Sequence, residues 1–306
     1  MEQTSLLCVL FALLAAASNA LGTVLQRRAA LTVPLSHGFH LRLITELLHR
    51  PIWLGGMAGV LAAACFQALA LANGPLSVVQ PIFVLELPFA LLMAGVVLGR
   101  KLPRAGWVAV GCIVVGLATA LAAASPTPGR SQAPMDRWTL ALLCCGAAVA
   151  ALIAVAMRRP VGATRAACLG TATAIGYALT AALLKSATYE WQSDGITGFF
   201  LAWQTYAFAA TGAGSLFLME NTMQSGPLAA SQPALTLGDA TVSLTLGVTL
   251  YGERIRLGWW LVLELLGAAL ILVGAIMLGK VPLTTSLMAP SEARESDEAG
   301  EPARRR

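Results

Sequence analysis

The sequence predicts an all-α integral membrane protein of about nine transmembrane helices built on an inverted internal repeat. Three observations predict it: 57% of the 306 residues are hydrophobic, only 11% are charged, and a 34-residue stretch of the first half matches one in the second without gaps. A soluble domain carries about 25% charged residues. A soluble chain of this length could not bury so much apolar surface in one core. The apolar residues come in blocks of about twenty, the length a bilayer asks of a helix.

The first block is Ser5–Gln26. Its Ala15-Ala16-Ala17-Ser18-Asn19-Ala20 stretch resembles a signal-cleavage site. However, Glu2 and no Lys or Arg precede it, and the apolar run is too long, so it reads as the first span. The other spans are Ile52–Leu71, Leu76–Leu98, Gly106–Ala124, Trp138–Met157, Ala166–Ala187, Phe199–Met219, Leu228–Leu250 and Gly258–Leu278. Between the first two lies Arg27–Arg50, where Leu41, Ile44, Leu47 and Leu48 fall at helical spacing. It reads as an amphipathic helix on the membrane surface. The competing reading is a degenerate additional span.

Lys and Arg set the orientation. Arg27–Arg50, the Arg100–Arg104 turn and the Arg158–Arg165 turn are basic, whereas Asn73-Gly74 is uncharged and Tyr189–Gly198 holds only Glu190 and Asp194. The basic loops therefore face the cytoplasm, the N-terminus faces out and the C-terminus faces in. Glu253–Arg256 is the exception: it is net positive and would face out. The expected organisation is a first membrane half, 1–124, and a Pro- and Ser-rich linker, 125–137. A second half, 138–280, and a disordered cytoplasmic tail, 281–306, complete it. The expected location is the plasma membrane, with the lipid bilayer as first partner.

Composition also excludes. The net charge of +5 is spread between apolar blocks, which reads as topology and not as a nucleic-acid face. Cys8, Cys65, Cys112, Cys144, Cys145 and Cys168 all lie in apolar stretches without metal or disulfide spacing. His37 and His40 are too few for a metal site and read as interfacial. There is no phosphate-binding Gly loop, Ser-His-Asp set or zinc signature. No cofactor and no enzymatic activity are expected.

The repeat has an offset of 152 residues: over Gly74–Trp107 against Gly226–Trp259, thirteen of 34 positions are identical. Gly74-Pro75-Leu76 and Gln80-Pro81 align with Gly226-Pro227-Leu228 and Gln232-Pro233, and Gly106-Trp107 with Gly258-Trp259. By span count the two Gly-Pro corners fall on opposite membrane faces. Inverted repeats of this kind place related gates around a midplane site.

Glu86 and Asp239 lie halfway along their spans, one position apart in the repeat register. An ionised acid at the bilayer centre costs about 2.5–3.5 kcal/mol, so each needs a reason to be there. Two such acids would bind a cation or a transported proton, and they are the candidate metal ligands. A protonated acid bonded to a neighbouring helix for packing is the alternative. Glu264, two turns into the last span, either joins that site or faces the interface. Glu220 stands at a boundary and reads as solvated. Gln80 and Gln232 precede Pro81 and Pro233, where a missing backbone donor kinks a helix and frees a carbonyl. These amides either line a pathway or satisfy that carbonyl. Asn19 and Gln67 are further polar groups within spans, as pathway residues or as helix–helix glue.

The Gly-Pro-Leu…Gln-Pro spans, the Tyr251-Gly252-Glu253-Arg254-Ile255 turn and a Gly-rich last helix resemble the drug/metabolite transporter superfamily (EamA-like). The resemblance covers most of Ser5–Leu278. It implies a ten-helix bundle of two inverted halves, and the degenerate second span is most similar to the nine-span NIPA-type magnesium transporter branch. The sequence departs from the pattern where the first half has basic Arg100-Lys101 and the second has Gly252-Glu253, so the resemblance does not carry a matched-pair role over to Glu253. The resemblance implies a secondary-active transporter, exporter or permease, that moves a small solute or cation by alternating access. A divalent-cation transporter or channel is the nearest variant. High Ala and Gly content equally suits a non-transporting scaffold, and a homodimer remains open as a partner.

Overall fold

The computed structural model describes residues 2–30, 51–97, 102–226, 228–256 and 258–279. They form ten helices: α1 Glu2–Ala30, α2 Pro51–Asn73, α3 Leu76–Phe83, α4 Glu86–Val97, α5 Arg104–Ala124, α6 Met135–Met157, α7 Ala163–Leu201, α8 Trp203–Gln224, α9 Leu228–Tyr251 and α10 Trp260–Gly279. In lipid a backbone must satisfy its own polar groups, which long helices do. Prolines set several starts. Pro75, Pro103 and Pro134 stand just before α3, α5 and α6 with φ of −71°, −66° and −68° in extended backbone. A proline cannot continue a helix backwards, but it costs nothing where the first donors are orphans anyway.

Eight segments are long and apolar enough to cross a membrane, with α3 and α4 counted as one. The described residues hold no strand, and the chain is a multi-pass α-helical membrane protein. The expected span Phe199–Met219 falls on α8, a 22-residue helix outside those eight. Gln204, Thr205, Thr211, Ser215, Glu220 and Asn221 dilute its apolar character. The expected loop Tyr189–Gly198 is helical: α7 runs on to Leu201 and turns at Gly195, whose φ of +64° only glycine adopts without strain. Arg27 and Arg28 belong to the end of α1. The remainder of the expected surface helix, with His37 and His40, lies outside the described residues, as does the 281–306 tail. The linker is shorter than expected, since α6 begins at Met135.

Helix pairs close through small residues. α1 packs on α2, α5 on α10, and α7 on both α8 and α9. Gly22 lies against the Gly56 carbonyl, and a Cβ there would stand 2.9 Å from it. Gly116 and Gly267 are reciprocal: a Cβ on either would come within 2.7 Å of the other's carbonyl oxygen. Backbones that close gain dispersion contacts, the main glue between helices in lipid. One apolar cluster joins α1, α3, α7 and α9 through Cys8, Leu76, Val79, Leu183 and Leu250. A second joins α4, α5 and α10 through Leu91, Ile113 and Ile271. α6 turns Leu140 and Leu143 outward, and its buried Trp138 meets Trp203 and Tyr251 edge-on.

Two ends follow from these contacts. The linker lies across the turn after α9: Thr127 N–H donates to the Arg254 carbonyl at 2.9 Å, Arg130 N–H to Tyr251 at 2.6 Å and Arg256 N–H to Ala124 at 3.0 Å. Gly74 sits at this end against Cys8. At the other end of α9, Gly162 N–H donates to the Ser225 carbonyl at 2.9 Å, and Gly226 packs on Gly162. α9 has 24 residues, so its ends lie about 36 Å apart.

Candidate functional site

The helix interruption is the feature that positions the centre. Pro81 stands inside α3 and cannot donate to the carbonyl a turn earlier. The helix gives out two residues further on: Val84 N–H bonds to Pro81 and Leu85 N–H to Ile82, tight three-residue spacings, before α4 restarts at Glu86. Glu86 is therefore the first residue past the break, across which Leu87 N–H bonds to Val84 and Phe89 N–H to Leu85. Pro233 does not do the same. It lies inside α9, which continues as one helix from Leu228 to Tyr251, so the expected pair of kinks is not a matched pair.

Around Glu86 three further helices contribute polar groups. Asn19 of α1 faces its carboxyl within hydrogen-bonding reach. Asp239 of α9 lies within electrostatic range of Glu86 and accepts a 3.3 Å hydrogen bond from Ser243 one turn on. Tyr177 of α7 lies in the field of Glu86, Asp239 and Glu220 together. Both acids are partly buried. Gln80 and Gln232 are buried on the facing helices α3 and α9. Thus Glu86, Asp239 and Asn19 come together from three separate stretches of chain. Gln67 is partly buried on α2. Glu264 lies at helical spacing from Gly267, Ile271 and Gly274 of α10, and its buried Oε2 has no hydrogen-bond partner among the described residues. No described hydrogen bond or ion pair joins Glu264 to the two acids.

Neither acid has a cationic partner among the described residues, where the one ion pair lies elsewhere. No group of three or more His, Cys, Asp or Glu side chains suited to a metal occurs there either. Two carboxylates alone suit a cation that keeps most of its water, or a proton.

That ion pair is the part of the structure that sequence reasoning passed over. Lys185 of α7 donates to Glu253 Oε1 at 2.6 Å, with both side chains buried. Glu253 also accepts from Leu76 N–H at 2.7 Å, Ser77 N–H at 2.9 Å and Ser77 Oγ–H at 2.6 Å. The carboxylate thereby caps the first turn of α3, satisfying donors that a helix start leaves orphaned. It occupies the notch left by Gly247, where a Cβ would overlap Glu253 Oε2. The Lys185 ammonium also lies 4.5 Å from the centre of the Tyr251 ring, whose hydroxyl donates to the Ala182 carbonyl at 2.6 Å. The available signal was a lysine late in an apolar block and an acid in the Tyr251–Ile255 turn.

The bundle and its polar centre define a multi-pass α-helical membrane protein with two carboxylates among its helices. A protein of Corynebacterium glutamicum described as uncharacterized is 32% identical over 260 residues, covering 84% of this chain and 89% of that one. The chain belongs to the same family as that protein. No protein-family model and no solved structure matches it.

Proposed function

We propose that the protein is a secondary-active transporter of a small solute or cation, working by alternating access in the plasma membrane. The observation that carries this reading is the pair Glu86 and Asp239: two carboxylates on different helices, close enough to interact, with no cationic side chain among the described residues to neutralise them. Uncompensated acids among membrane helices are costly, and passage of a cation or proton is the use that repays them. The half-helix that begins at Glu86 supports the same reading, since interrupted helices supply transport sites. So does the repeat, whose Gly74 and Gly226 corners stand at opposite ends of α9. The class agrees with the resemblance to drug/metabolite transporters. Cytoplasmic sidedness goes to the end with Arg104, Arg158, Arg159 and Arg165.

Flux into proteoliposomes is the test, with a solute panel that includes Mg²⁺, run with and without a pH gradient. Glu86→Gln and Asp239→Asn should each lower flux of the transported species by about tenfold or more, as expected when a coordinating carboxylate is lost. Their elution and melting should stay near those of the wild type. Flux of no solute by well-folded wild-type protein would leave the scaffold role standing instead.

A further inference from the structure

The Glu253 cluster has no role in the polar centre, yet it ties together three helices and a turn at one end of the bundle. Its placement is one-sided. In the 152-residue register Ser77 corresponds to Ala229 and Glu253 to Lys101, while the notch glycine persists as Gly95 against Gly247. By register the Gly226 corner carries neither that acid nor that serine. Among the described residues it packs by backbone, Gly226 against Gly162.

We propose that Glu253, Lys185 and the Gly74–Ser77 corner form an ionic latch that shuts the linker-bearing end of the bundle, with no ionic counterpart among the described residues at the other end. The latch rests on the transport reading, because it gates access to the centre that Glu86 and Asp239 supply. Its geometry suits a switch. Glu253 belongs to the turn after α9, Lys185 to α7, and all the remaining donors to the start of α3. Parting α3 from α9 at this end breaks every one of those bonds to Glu253 except the one from Lys185. The released carboxylate keeps its ammonium partner, so the open form does not strand a lone buried charge. α3 leads directly to the break at Val84–Leu85 and to Glu86. Motion of the corner is thus transmitted to the acid along one short helix.

Cys8 is a native reporter. It is buried, and its side chain packs where a Cβ on Gly74 would lie. The experiment uses full-length protein with Cys65, Cys112, Cys144, Cys145 and Cys168 replaced by Ala. A membrane-impermeant maleimide is applied to either face in separate vesicle preparations. The parent should label slowly. Glu253→Gln puts an amide N–H₂ among N–H donors and should speed labelling about tenfold or more from the linker-bearing face alone, by raising the open population. Lys185→Met removes the one partner that the open form keeps, so it should not speed labelling. Ser77→Ala copies the residue of the opposite corner, removes one hydroxyl and should give a smaller increase in the same direction. It also decides the matter if Glu253→Gln fails to fold. Three results would overturn the latch: fast labelling of the parent, unchanged labelling in folded Glu253→Gln and Ser77→Ala, or equal acceleration from both faces, which means general loosening. Flux and labelling separate the two proposals. Acceleration without flux of any solute removes the transporter and keeps a gated corner. Flux that depends on Glu86 with unchanged labelling removes only the latch.

Discussion

Glu86 and Glu253 are both glutamates in an apolar bundle, and their surroundings assign them opposite tasks. Glu253 receives two backbone N–H groups, a hydroxyl and an ammonium, so its charge is fully met by the protein. Glu86 has Asn19 in reach and a second acid in its field, and no cationic partner among the described residues; on the transport reading its charge is met by the species that passes. The fit around Glu253 extends to Gly247. Gly247→Ala would drive a methyl into the carboxylate, and overpacking of that kind costs about 1–3 kcal/mol. The expected result is a lower melting temperature in detergent and loss of the spacing that lets Glu253 reach Leu76. A melting curve superimposable on the wild type would show that the notch has slack.

Among elements, proline and glycine decide more than hydrophobicity does. Pro81 and Pro233 occupy the same repeat position, yet only the Pro81 helix breaks, two residues on. Pro88, buried one turn past the break, has no equivalent in the second half, where Ala240 stands. A second proline withdraws a second backbone donor, which α9 is spared. The α5–α10 pair is held by contact at Gly116, Gly267 and Gly274, the last with its Cα hydrogen facing the Ala109 carbonyl. Gly267→Leu should prise those helices apart and lower the melting temperature by several degrees, since about 1–3 kcal/mol is lost to overpacking. Gly146, which has open space around it, is the control: Gly146→Leu should change little. Equal effects at the two positions would argue against the close contact.

For the whole molecule, sidedness is the sharpest question, because arginines gather at both ends. Arg130, Arg137, Arg254 and Arg256 lie at the linker end, and Arg137 donates to the Thr249 carbonyl at 3.1 Å, so part of that charge serves the α9 terminus. A basic side chain at a helix C-terminus is favourable for its own sake and carries less topological information. Single cysteines at Asn73 and Asn221 mark the two ends. They should react with an impermeant reagent from opposite faces, Asn221→Cys from the cytoplasmic one. Labelling of both from one face would refute the inverted arrangement and, with it, the paired gates.

The sequence alone determined the solvent and the class of element. Twenty-residue apolar blocks admit only helices in lipid, since each helix satisfies its backbone internally. It also singled out Glu86 and Asp239, because an acid within an oily run stands out without any knowledge of its neighbours. Tertiary structure alone decided which polar groups are spoken for. Lys185 and Glu253 are 68 residues apart, and nothing local distinguishes a charge that will be paired from one left for a ligand. The break at Val84–Leu85 and the continuity of α9 were likewise settled by packing, because proline permits a kink and its neighbours choose whether it forms. Pairing and breakage are properties of where helices meet, and a linear pattern holds that information only as distant, separately unremarkable residues.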